Sequence, residues 1–509
     1  MMRSGIFNMY PLLETDVYKT VHHAQYPEGM SYLTSYFIPR KSRTDEDFLI
    51  MFGLQYYIKN YLIDDWNKNF FELPFEEAIQ SYKFSMNYLL GTRFADTKRF
   101  KALHELGYLP LRIRAIPEGT MVPIRVPMIE ITNTHPGFAW LVNYIETSLQ
   151  STLWHIMSAA NVGYKLRQIV HKWYGKTVCN APERGAMCDF SMRGQEGVES
   201  AKASSAAFLI SFNKTATISS FLFLCKYYNA NPKTACTGLA STEHSVMCSN
   251  YAVDGDEKTM ILRLLKDIYP KDNFTMVSDS YDYWNLVCNI LREPDVKQAI
   301  MEHKGFIGIR GDSGDPVDIV AGKLNPDPHG EADLGTVEVL WNIFGGTINE
   351  KGYKVLDSHI RAVYGDGITA ERAEEIYRRL ESKGFAANNV ILGMGAYSMQ
   401  SVNGKDPLTR DTYGIAVKST HCIVDDNEYP IFKDPKTDNH EMKKSPKGLC
   451  FVYKNEDGKL TYTDNHTVDE FLEIPYENAM HTVFRNGELC LSYNLDEIRE
   501  TLHGGHFDD

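Results

Sequence analysis

The stretch GFIGIRGDSGDPVDIV, residues 305–320, decides the fold because its character changes within a few positions. Its first half is apolar and glycine-rich, as in a buried strand, and its second half can begin a helix. Between the two halves stand Arg310, Asp312, Ser313 and Asp315, with two glycines. An arginine guanidinium group, which can form two parallel hydrogen bonds, and carboxylates at the end of a strand suit a ligand with phosphate, hydroxyl groups and a metal ion. A turn followed by a helix cap is the alternative explanation for this one stretch.

The same pattern recurs through residues 185–425: a short apolar run, then polar residues and glycines, then helical sequence. The runs end in CDFSMRG (188–194), TGLASTEHS (237–245), TMVSDSYD (275–282), GIRGDSGDP (308–316), AVYGDGIT (362–369), ILGMGAYS (391–398) and GIAVKSTH (414–421). Seven strand-then-helix units predict a parallel α/β barrel or a doubly wound sheet. In such folds the carboxyl ends of the strands build the active site, so we expect these polar clusters to converge.

The flanking sequence predicts other kinds of structure. Residues 1–45 are interpreted as a polar entry segment, and residues 109–133 alternate apolar and polar residues, which is typical of β-hairpins. From 137 to about 174, apolar residues recur every four positions, as in a long helix with one buried face. The tail is rich in lysine and then in strand formers, with an Asn-Gly hairpin signal at 486–487. The lysines are either a solvated surface or a local basic patch.

These patterns divide the chain into three predicted domains. Residues 1–180 form an N-terminal arm, a β-rich segment and the long helix. Residues 181–425 form an α/β barrel catalytic domain, and residues 426–509 form a C-terminal basic loop and a β-rich segment.

Composition excludes several classes of function. Lys and Arg number 53 against 66 Asp and Glu, a net charge of −13, which disfavours nucleic-acid binding. No stretch reaches the roughly 18 apolar residues of a membrane span, and the first residues lack the apolar core of a signal peptide. Nine cysteines without a C-x-x-C pair indicate reduced thiols. We therefore expect a cytoplasmic enzyme or binding protein without a membrane or nucleic-acid partner.

Candidate site residues follow from the chemistry of the clusters. Asp279, Asp312 and Asp366 follow predicted strands and can hold ribose hydroxyls or Mg²⁺. Six cations can bind phosphate groups: Arg193, Arg310, Arg410, Lys418, Lys433 and Lys443. Together they describe a site for a sugar that carries phosphate and pyrophosphate.

Two aromatic residues and one histidine complete the candidates. Phe190 and Tyr18 can offer ring faces to a flat base, although both could equally be core aromatics. His244, beside Glu243, can act as acid, base or covalent carrier of phosphate, or as a hydrogen-bonded structural residue.

Motifs along the whole chain resemble the nicotinamide phosphoribosyltransferases, a family with the type II phosphoribosyltransferase fold. These motifs are LLETDVYKTVHHAQYP (12–27), SYFIPR (35–40), FGLQYYIKNYL (52–62), DFSMRG (189–194), EHS (243–245), VSDSYD (277–282), IRGDSGDP (309–316), GDG (365–367), LTRDTYG (408–414), FKDP (432–435) and HTVFRNGELCLSYNLDEIR (481–499). The resemblance implies an irregular parallel α/β barrel with an additional α+β, β-rich domain built from N- and C-terminal segments. It also implies an enzyme that joins nicotinamide to phosphoribosyl pyrophosphate, releasing pyrophosphate and making nicotinamide mononucleotide for NAD synthesis.

The resemblance also implies roles for the candidate residues. Phe190 stacks on the pyridine ring, and Tyr18 of a second subunit lies on its opposite face. Arg193 and Arg310 contact the base and the pyrophosphate, and Asp279 and Asp312 serve the sugar, the metal and the base. The resemblance further implies that Gly365 and Asp366 clamp the ribose. Arg410 and Lys418 would reach the site across a homodimer interface, and Lys433 and Lys443 would be further phosphate ligands. Mg²⁺ accompanies the donor, and His244 matches a histidine that ATP phosphorylates. No metal ligand set is assigned.

Two departures from the family pattern concern substrate choice. Ala216, in FNKTATIS, stands where the family has an acid that holds the nicotinamide amide. Near the ribose phosphate the family has a glycine run, whereas this chain reads GMGAY (393–397), with Ala396 and Tyr397 after Gly395. An apparent insertion, SMQSVNGKDP (398–407), follows. Nicotinate as the base, or the larger pyrophosphate of ADP-ribose as the donor, are therefore alternatives. An alternative of another class is a catalytically silent binding protein.

Overall fold

The computed structural model describes residues 7–327, 330–437 and 444–507, and these residues form two compact units. Unit 1 comprises residues up to Ser158, Lys226–Asn229 and Leu408–Leu502. Unit 2 comprises Ala159–Cys225, Ala230–Pro407 and the residues from His503 onward. Both units are therefore discontinuous in sequence.

The strands are numbered in chain order. They are β1 (Met30–Ile38), β2 (Phe48–Ile50), β3 (Leu111–Ala115), β4 (Met121–Pro123), β5 (Ile129–Asn133), β6 (Met187–Asp189), β7 (Lys214–Thr215), β8 (Ala240–Ser241), β9 (Phe274–Val277), β10 (Ile307–Gly311), β11 (Gly346–Ile348), β12 (Lys354–Leu356), β13 (Ile360–Tyr364), β14 (Val390–Met394), β15 (Ser401–Val402), β16 (Asp406–Pro407), β17 (Ala416–Val424), β18 (Asn427–Pro430), β19 (Leu449–Lys454), β20 (Leu460–His466), β21 (His481–Arg485) and β22 (Glu488–Leu489).

The α-helices are numbered in the same way. They are α1 (Leu54–Tyr57), α2 (Phe75–Ala78), α3 (Gln80–Leu89), α4 (Lys98–Leu106), α5 (Leu141–Tyr144), α6 (Glu146–Thr177), α7 (Val198–Phe208), α8 (Ile218–Tyr228), α9 (His244–Asp254), α10 (Lys258–Arg263), α11 (Tyr283–Cys288), α12 (Pro294–Glu302), α13 (Pro316–Ala321), α14 (Thr336–Phe344), α15 (Ala370–Ser382), α16 (Ala396–Met399), α17 (Val468–Glu473) and α18 (Leu495–His503). The segments Ile58–Asp65 and Asn67–Phe71 are π-helical.

Unit 2 is built around a parallel sheet with the strand order β7-β6-β14-β13-β10-β9-β8. Its edges meet just before β8, where Thr215 donates its backbone N–H to the Thr237 carbonyl (3.1 Å) and Thr237 donates to the Asn213 carbonyl (2.7 Å). The sheet therefore curls into an irregular barrel, which confirms the fold class expected from the sequence. All strand carboxyl ends lie at one rim.

Helix α15 shows how local sequence sets the elements around this barrel. The Thr369 hydroxyl caps its start by accepting the Arg372 N–H (3.2 Å), and Gly384 follows its end with a φ of +77°. Ala373, Ile376, Tyr377 and Leu380 form its buried face, at the spacing expected for a helix.

Unit 1 contains an antiparallel sheet with the strand order β18-β17-β1-β5-β3-β21-β22. Residues 109–133 form the strands β3, β4 and β5 as predicted, but only β3 and β5 pair with each other, whereas β4 pairs with β2. The Asn-Gly hairpin is confirmed as β21–β22, with φ values of +52° at Asn486 and +86° at Gly487. The core includes Phe37, Ile113 and Ile131 from adjacent strands. The predicted long helix is confirmed, but it is interrupted at Ile145 between α5 and α6.

Two sequence predictions are wrong. The run GIAVKSTH lies in β17, an antiparallel strand between β1 and β18 of unit 1, so it is not a seventh unit of the barrel. The barrel strand that prediction missed is β7, only two residues long. Residues 1–45 are also more than a polar entry segment, because β1 is buried along most of its length in the centre of the unit 1 sheet.

No helix within the described ranges is long and apolar enough to cross a membrane. No disulfide bond joins any two of the nine cysteines, all of which belong to the described part of the chain.

Candidate active site

Four predicted site residues meet at the rim of the unit 2 barrel. Asp279 follows β9, Arg310 lies in β10, Asp312 directly follows β10, and His244 is the first residue of α9 beyond β8. A nitrogen of His244 and carboxylate oxygens of Asp279 and Asp312 all lie within 4.8 Å of one another. The parallel arrangement of adjacent strands brings these side chains together, as the sequence pattern predicts.

Hydrogen bonds hold the carboxylates in place. Asp279 Oδ2 accepts the backbone N–H of Asp312 (3.2 Å) and the hydroxyl of Ser313. Arg310 Nε lies 3.3 Å from Asp312 Oδ2, and its Nη1 donates to the Ser241 hydroxyl (2.8 Å). Asp279 Oδ1 and Asp312 Oδ1 are buried and have no hydrogen-bond partner among the described residues. Two acceptor atoms therefore remain for donors or a cation from a ligand.

Burial and neighbouring charges alter the pKa of the Asp312 carboxyl group. Burial raises the pKa of the Asp312 carboxyl group above its usual value, and the negative charges of Asp279 and Asp366 raise it further. The positive charge of Arg310 acts in the opposite direction, as does that of His244 when its imidazole is protonated. A bound cation would stabilise the ionised carboxylate in the same way.

Phe190 and two glycines form a flat surface beside the carboxylates. A Cβ at Gly393 would lie 2.4 Å from Phe190 Cδ2, so the ring rests directly on the backbone of β14. A Cβ at Gly365 would lie 2.6 Å from Asp312 Oδ1 and 3.4 Å from the Phe190 ring. These two positions need glycine because side chains would displace the ring or the carboxylate.

The loops after β6 and β14 lie against each other. A Cβ at Gly194 would lie 2.4 Å from the Ala396 Cβ, which places Gly395 and Ala396 beside the exposed Arg193. The apparent insertion folds as the β15–β16 hairpin, and the ring of Tyr397, which is 49% exposed, lies over its Gly404 turn.

Ala216 directly follows β7, which pairs with β6, the strand that ends just before Phe190. Its backbone N–H donates to the Asp189 carbonyl (2.8 Å), and its side chain is exposed at the rim. The nearby Ser219 Oγ is buried without a hydrogen bond to any described residue. No carboxylate stands at position 216 to receive the hydrogens of an amide.

A second group of predicted residues lies within unit 1. The Tyr18 ring is 56% exposed, and its hydroxyl donates to the Asp16 carboxylate (2.9 Å). Burial lowers the pKa of the Lys418 ammonium group, and neighbouring cations lower it further. These cations are Arg40, Lys433 and Arg410. Such a set of like charges is stabilised by an anion.

The roles of all these residues stay predictions. Lys443 lies outside the described residues. Sequence reasoning missed Ser241, Asp189 and Arg40, each of which stands within a quoted motif. It noted Ser313 without giving it a role. The signal that would have found them is their position at strand ends, but their partners are far away in the sequence.

Sequence comparisons relate the chain to enzymes of pyridine nucleotide metabolism. The profile of the nicotinate phosphoribosyltransferase (NAPRTase) family matches residues 186–488, and that of the nicotinamide phosphoribosyltransferase N-terminal domain matches residues 10–72. A nicotinamide phosphoribosyltransferase of Acinetobacter baylyi is 37% identical, over 97% of each chain. One of Xanthomonas campestris is 29% identical, over 96% of this chain and 97% of the relative.

Solved structures share the fold at low sequence identity. Nicotinate-nucleotide pyrophosphorylase from Pyrococcus furiosus has a TM-score of 0.59 at 14% identity and 100% coverage of both chains. Human nicotinic acid phosphoribosyltransferase has a TM-score of 0.58 at 14% identity, over 97% of this chain and 93% of that one.

Proposed function

The chain belongs to the nicotinate phosphoribosyltransferase family, and from this membership we propose that it is a nicotinamide phosphoribosyltransferase. It transfers the phosphoribosyl group of 5-phosphoribosyl 1-pyrophosphate to nicotinamide, giving nicotinamide mononucleotide and pyrophosphate for NAD salvage. Asp279, Arg310 and Asp312 lie together at the rim, close to the Phe190 ring, and this arrangement carries the proposal.

The reaction breaks the bond between the ribose C1 atom and pyrophosphate, and forms a bond from C1 to the pyridine nitrogen. The transition state has oxocarbenium character, as in glycoside hydrolysis. The neutral pyridine nitrogen supplies its own electron pair, so no general base is needed and none is assigned. Phe190 orients the base by stacking, and its contact with the backbone at Gly393 keeps the ring in place.

The charged rim residues bind the donor. Arg310 can stabilise negative charge on the departing pyrophosphate, and Arg193 lies on an exposed turn of the same rim. The ribose hydroxyls can donate to Asp279 Oδ1 and Asp312 Oδ1, the buried oxygens that accept no hydrogen bond from any described residue. Asp366 and Gly365 lie beside Asp312 and complete this ribose site.

The same oxygens fit Mg²⁺, which prefers oxygen ligands and retains several waters. Asp279 and Asp312 would hold the ion, whereas the imidazole of His244 is a less suitable ligand for it. When bound, Mg²⁺ would neutralise negative charge on the pyrophosphate. The hydrogen bond from Ser313 holds the Asp279 carboxylate, and the ion pair with Arg310 holds that of Asp312.

ATP coupling through His244 forms part of the proposal. The imidazole side chain is 51% exposed and stands next to Asp279, so it is accessible to a phosphoryl donor. The γ-phosphoryl group of ATP would move to a ring nitrogen of His244, with ADP as the leaving group.

We also propose that the enzyme is a cytoplasmic homodimer with shared active sites. Tyr18 and the basic residues Arg410, Lys418 and Lys433 lie in unit 1, whereas the rim residues lie in unit 2. In this proposal, unit 1 residues of one subunit complete the site of the other, with Tyr18 on the second face of the base. Lys443 is included on the basis of the sequence resemblance.

A larger donor is the second candidate function. Tyr397 is half-exposed beside Ala396 and rests on the β15–β16 hairpin, which could extend the donor site. Such a site would accept the pyrophosphate of ADP-ribose and give NAD directly. Nicotinate is likewise an alternative base, because Ala216 has no carboxylate that would repel it.

Mass spectrometry of the products tests these candidates together. The purified protein is given nicotinamide or nicotinate with either pyrophosphate donor, in the presence of Mg²⁺. Nicotinamide mononucleotide as the main product supports the proposal, and NAD supports the larger donor. No product from any combination would indicate a silent binding protein.

A further inference from the structure

Asp189 is a buried carboxylate that no step of the proposed reaction uses. Its side chain is 0% exposed and lies at the end of β6, directly before Phe190. Oδ1 accepts the backbone N–H (3.1 Å) and the hydroxyl (2.6 Å) of Ser191. Oδ2 accepts the hydroxyls of Thr215 (3.1 Å) and Thr217 (2.7 Å). Four neutral donors therefore satisfy one buried carboxylate.

These donors come from two segments that line the base site. Ser191 belongs to the loop that carries Phe190, whereas Thr215 and Thr217 are the neighbours of Ala216. Asp189 also accepts the Ala216 N–H through its backbone carbonyl (2.8 Å), so its backbone and its carboxylate both contact the β7–α8 turn. Asp189 thus joins the loop that carries Phe190, proposed to stack on the face of the base, to the β7–α8 turn, proposed to lie at the edge of the base.

We propose that Asp189 is a positioning residue that sets the distance between Phe190 and Ala216 and thereby selects the base. This inference rests on the proposed function, because it concerns the same base site. Asp189 acts through Phe190 and the β7–α8 turn, and its carboxylate does not touch the substrate. A shift of the β7–α8 turn changes the distance between position 216 and the substituent on the pyridine ring of the base. The preference between nicotinamide, which carries an amide, and nicotinate, which carries a carboxylate, therefore changes as well.

The chemistry of the four donors indicates which substitutions are informative. Thr217→Val keeps the shape of the side chain but removes one donor to the carboxylate, and Thr217→Ser restores that donor. In Asp189→Asn, the amide group can face the threonine hydroxyls, which can turn and accept, while the remaining oxygen still accepts from Ser191. Asp189→Asn therefore provides a milder second variant that preserves packing.

Steady-state kinetics with nicotinamide, nicotinate and phosphoribosyl pyrophosphate test the inference. Thr217→Val loses the hydrogen bond from the Thr217 hydroxyl to the charged Asp189 carboxylate. We therefore expect its KM for nicotinamide to be at least about fivefold higher than that of the parent. The ratio of kcat/KM for nicotinamide to kcat/KM for nicotinate should also change. The KM for phosphoribosyl pyrophosphate should stay within about twofold of the parent value. Thr217→Ser should return both values close to those of the parent.

Thr177→Val is the matched control. The buried Thr177 hydroxyl donates to the Trp173 carbonyl (2.8 Å) and accepts the Ala387 N–H (3.0 Å), within the same unit. A similar loss of Tm is expected in both valine variants, but only Thr217→Val should alter base binding. If Thr217→Val does not fold, the same comparison is made with Asp189→Asn.

Two outcomes overturn the positioning role. One is a fall in kcat for both bases with unchanged KM values, and the other is an equal change of base preference in Thr177→Val. A parent protein that makes no nucleotide contradicts the proposed function instead. In that case, calorimetric binding of nicotinamide to the parent and Thr217→Val still decides the role of Asp189, because equal affinities would refute it.

Discussion

His244 Nε2 lies 3.9 Å from Asp279 Oδ1, while His244 Nδ1 lies 3.1 Å from the Ser280 hydroxyl. The two neighbours orient an imidazole ring that is half-exposed at the barrel rim. A phosphoryl group on this ring would stand beside the carboxylates proposed to bind the sugar and Mg²⁺. In the proposed function, His244 influences donor binding without taking part in the bond exchange at ribose.

We expect His244→Ala to abolish stimulation by ATP and to retain slow basal synthesis of nicotinamide mononucleotide, because the substitution removes the phosphoryl acceptor and leaves Arg310, Asp279 and Asp312 in place. Product formation is measured with and without ATP. His359→Ala serves as a control, since His359 bonds to Asp357 elsewhere in unit 2. Equal stimulation of His244→Ala and the parent would make His244 a structural residue.

Mixing inactive variants tests the shared site. Tyr18→Ala and Arg310→Ala homodimers should each lose most activity, but subunit exchange should restore up to one intact site per heterodimer. Mixing Arg310→Ala with Asp312→Asn should restore nothing, because both residues lie at the same rim of unit 2. Confirmed exchange without recovery in the first mixture would place Tyr18 outside the partner's site.

Ala216→Asp should strengthen the preference for nicotinamide. A carboxylate at this position would accept the amide hydrogens of nicotinamide and repel the carboxylate of nicotinate. We expect the kcat/KM ratio of nicotinamide over nicotinate to rise at least about tenfold, or about 1.4 kcal/mol. Ala216→Asn, which can accept without repelling, should give a smaller rise. A ratio unmoved by the aspartate would mean that position 216 does not face the ring substituent.

Glu118 predicts a pH dependence of stability. Burial raises the pKa of this carboxyl group from its usual 4.5 to about 7, although it accepts the N–H groups of Gly53 (3.1 Å) and Gln55 (2.6 Å). The folded chain therefore binds this proton more tightly than the unfolded chain. The resulting stability is fully present below pH 4.5 and is lost as the pH rises through about 7, on the order of 3 kcal/mol in total.

Denaturant unfolding between pH 5 and 8 measures this effect as the difference between the parent and Glu118→Gln, which cannot ionise. The parent should lose stability relative to the variant as the pH rises. Parallel pH profiles of the two proteins would show that Glu118 titrates normally.

The sequence predicted the barrel rim because each strand there is a short apolar run that ends in polar residues. The same local pattern in GIAVKSTH belongs to the antiparallel strand β17, whose neighbour β1 lies far earlier in the chain. Local hydrophobicity reports burial, but strand direction depends on pairing with distant residues. The two residues of β7 are likewise too few for any periodicity to reveal.

The site was predictable where a side chain type alone suggests its chemistry, as for Arg310, Asp312 and His244. It was not predictable for Asp189, whose hydroxyl donors Thr215 and Thr217 come from the neighbouring strand β7 and the turn that follows it. An aspartate before an aromatic residue gives no local sign of such a network. Positioning residues are defined by tertiary contacts, which one sequence does not reveal.

Joint measurement of nicotinamide mononucleotide and pyrophosphate in one reaction tests the central claim most directly. With nicotinamide, phosphoribosyl pyrophosphate and Mg²⁺, the parent should form the two products in equal amounts. Asp312→Asn should lose most of this turnover and remain folded, while Asp267→Asn, an exposed acid in the same unit, should match the parent. Pyrophosphate without the nucleotide, or an unchanged kcat in Asp312→Asn at saturating donor and Mg²⁺, would contradict the account.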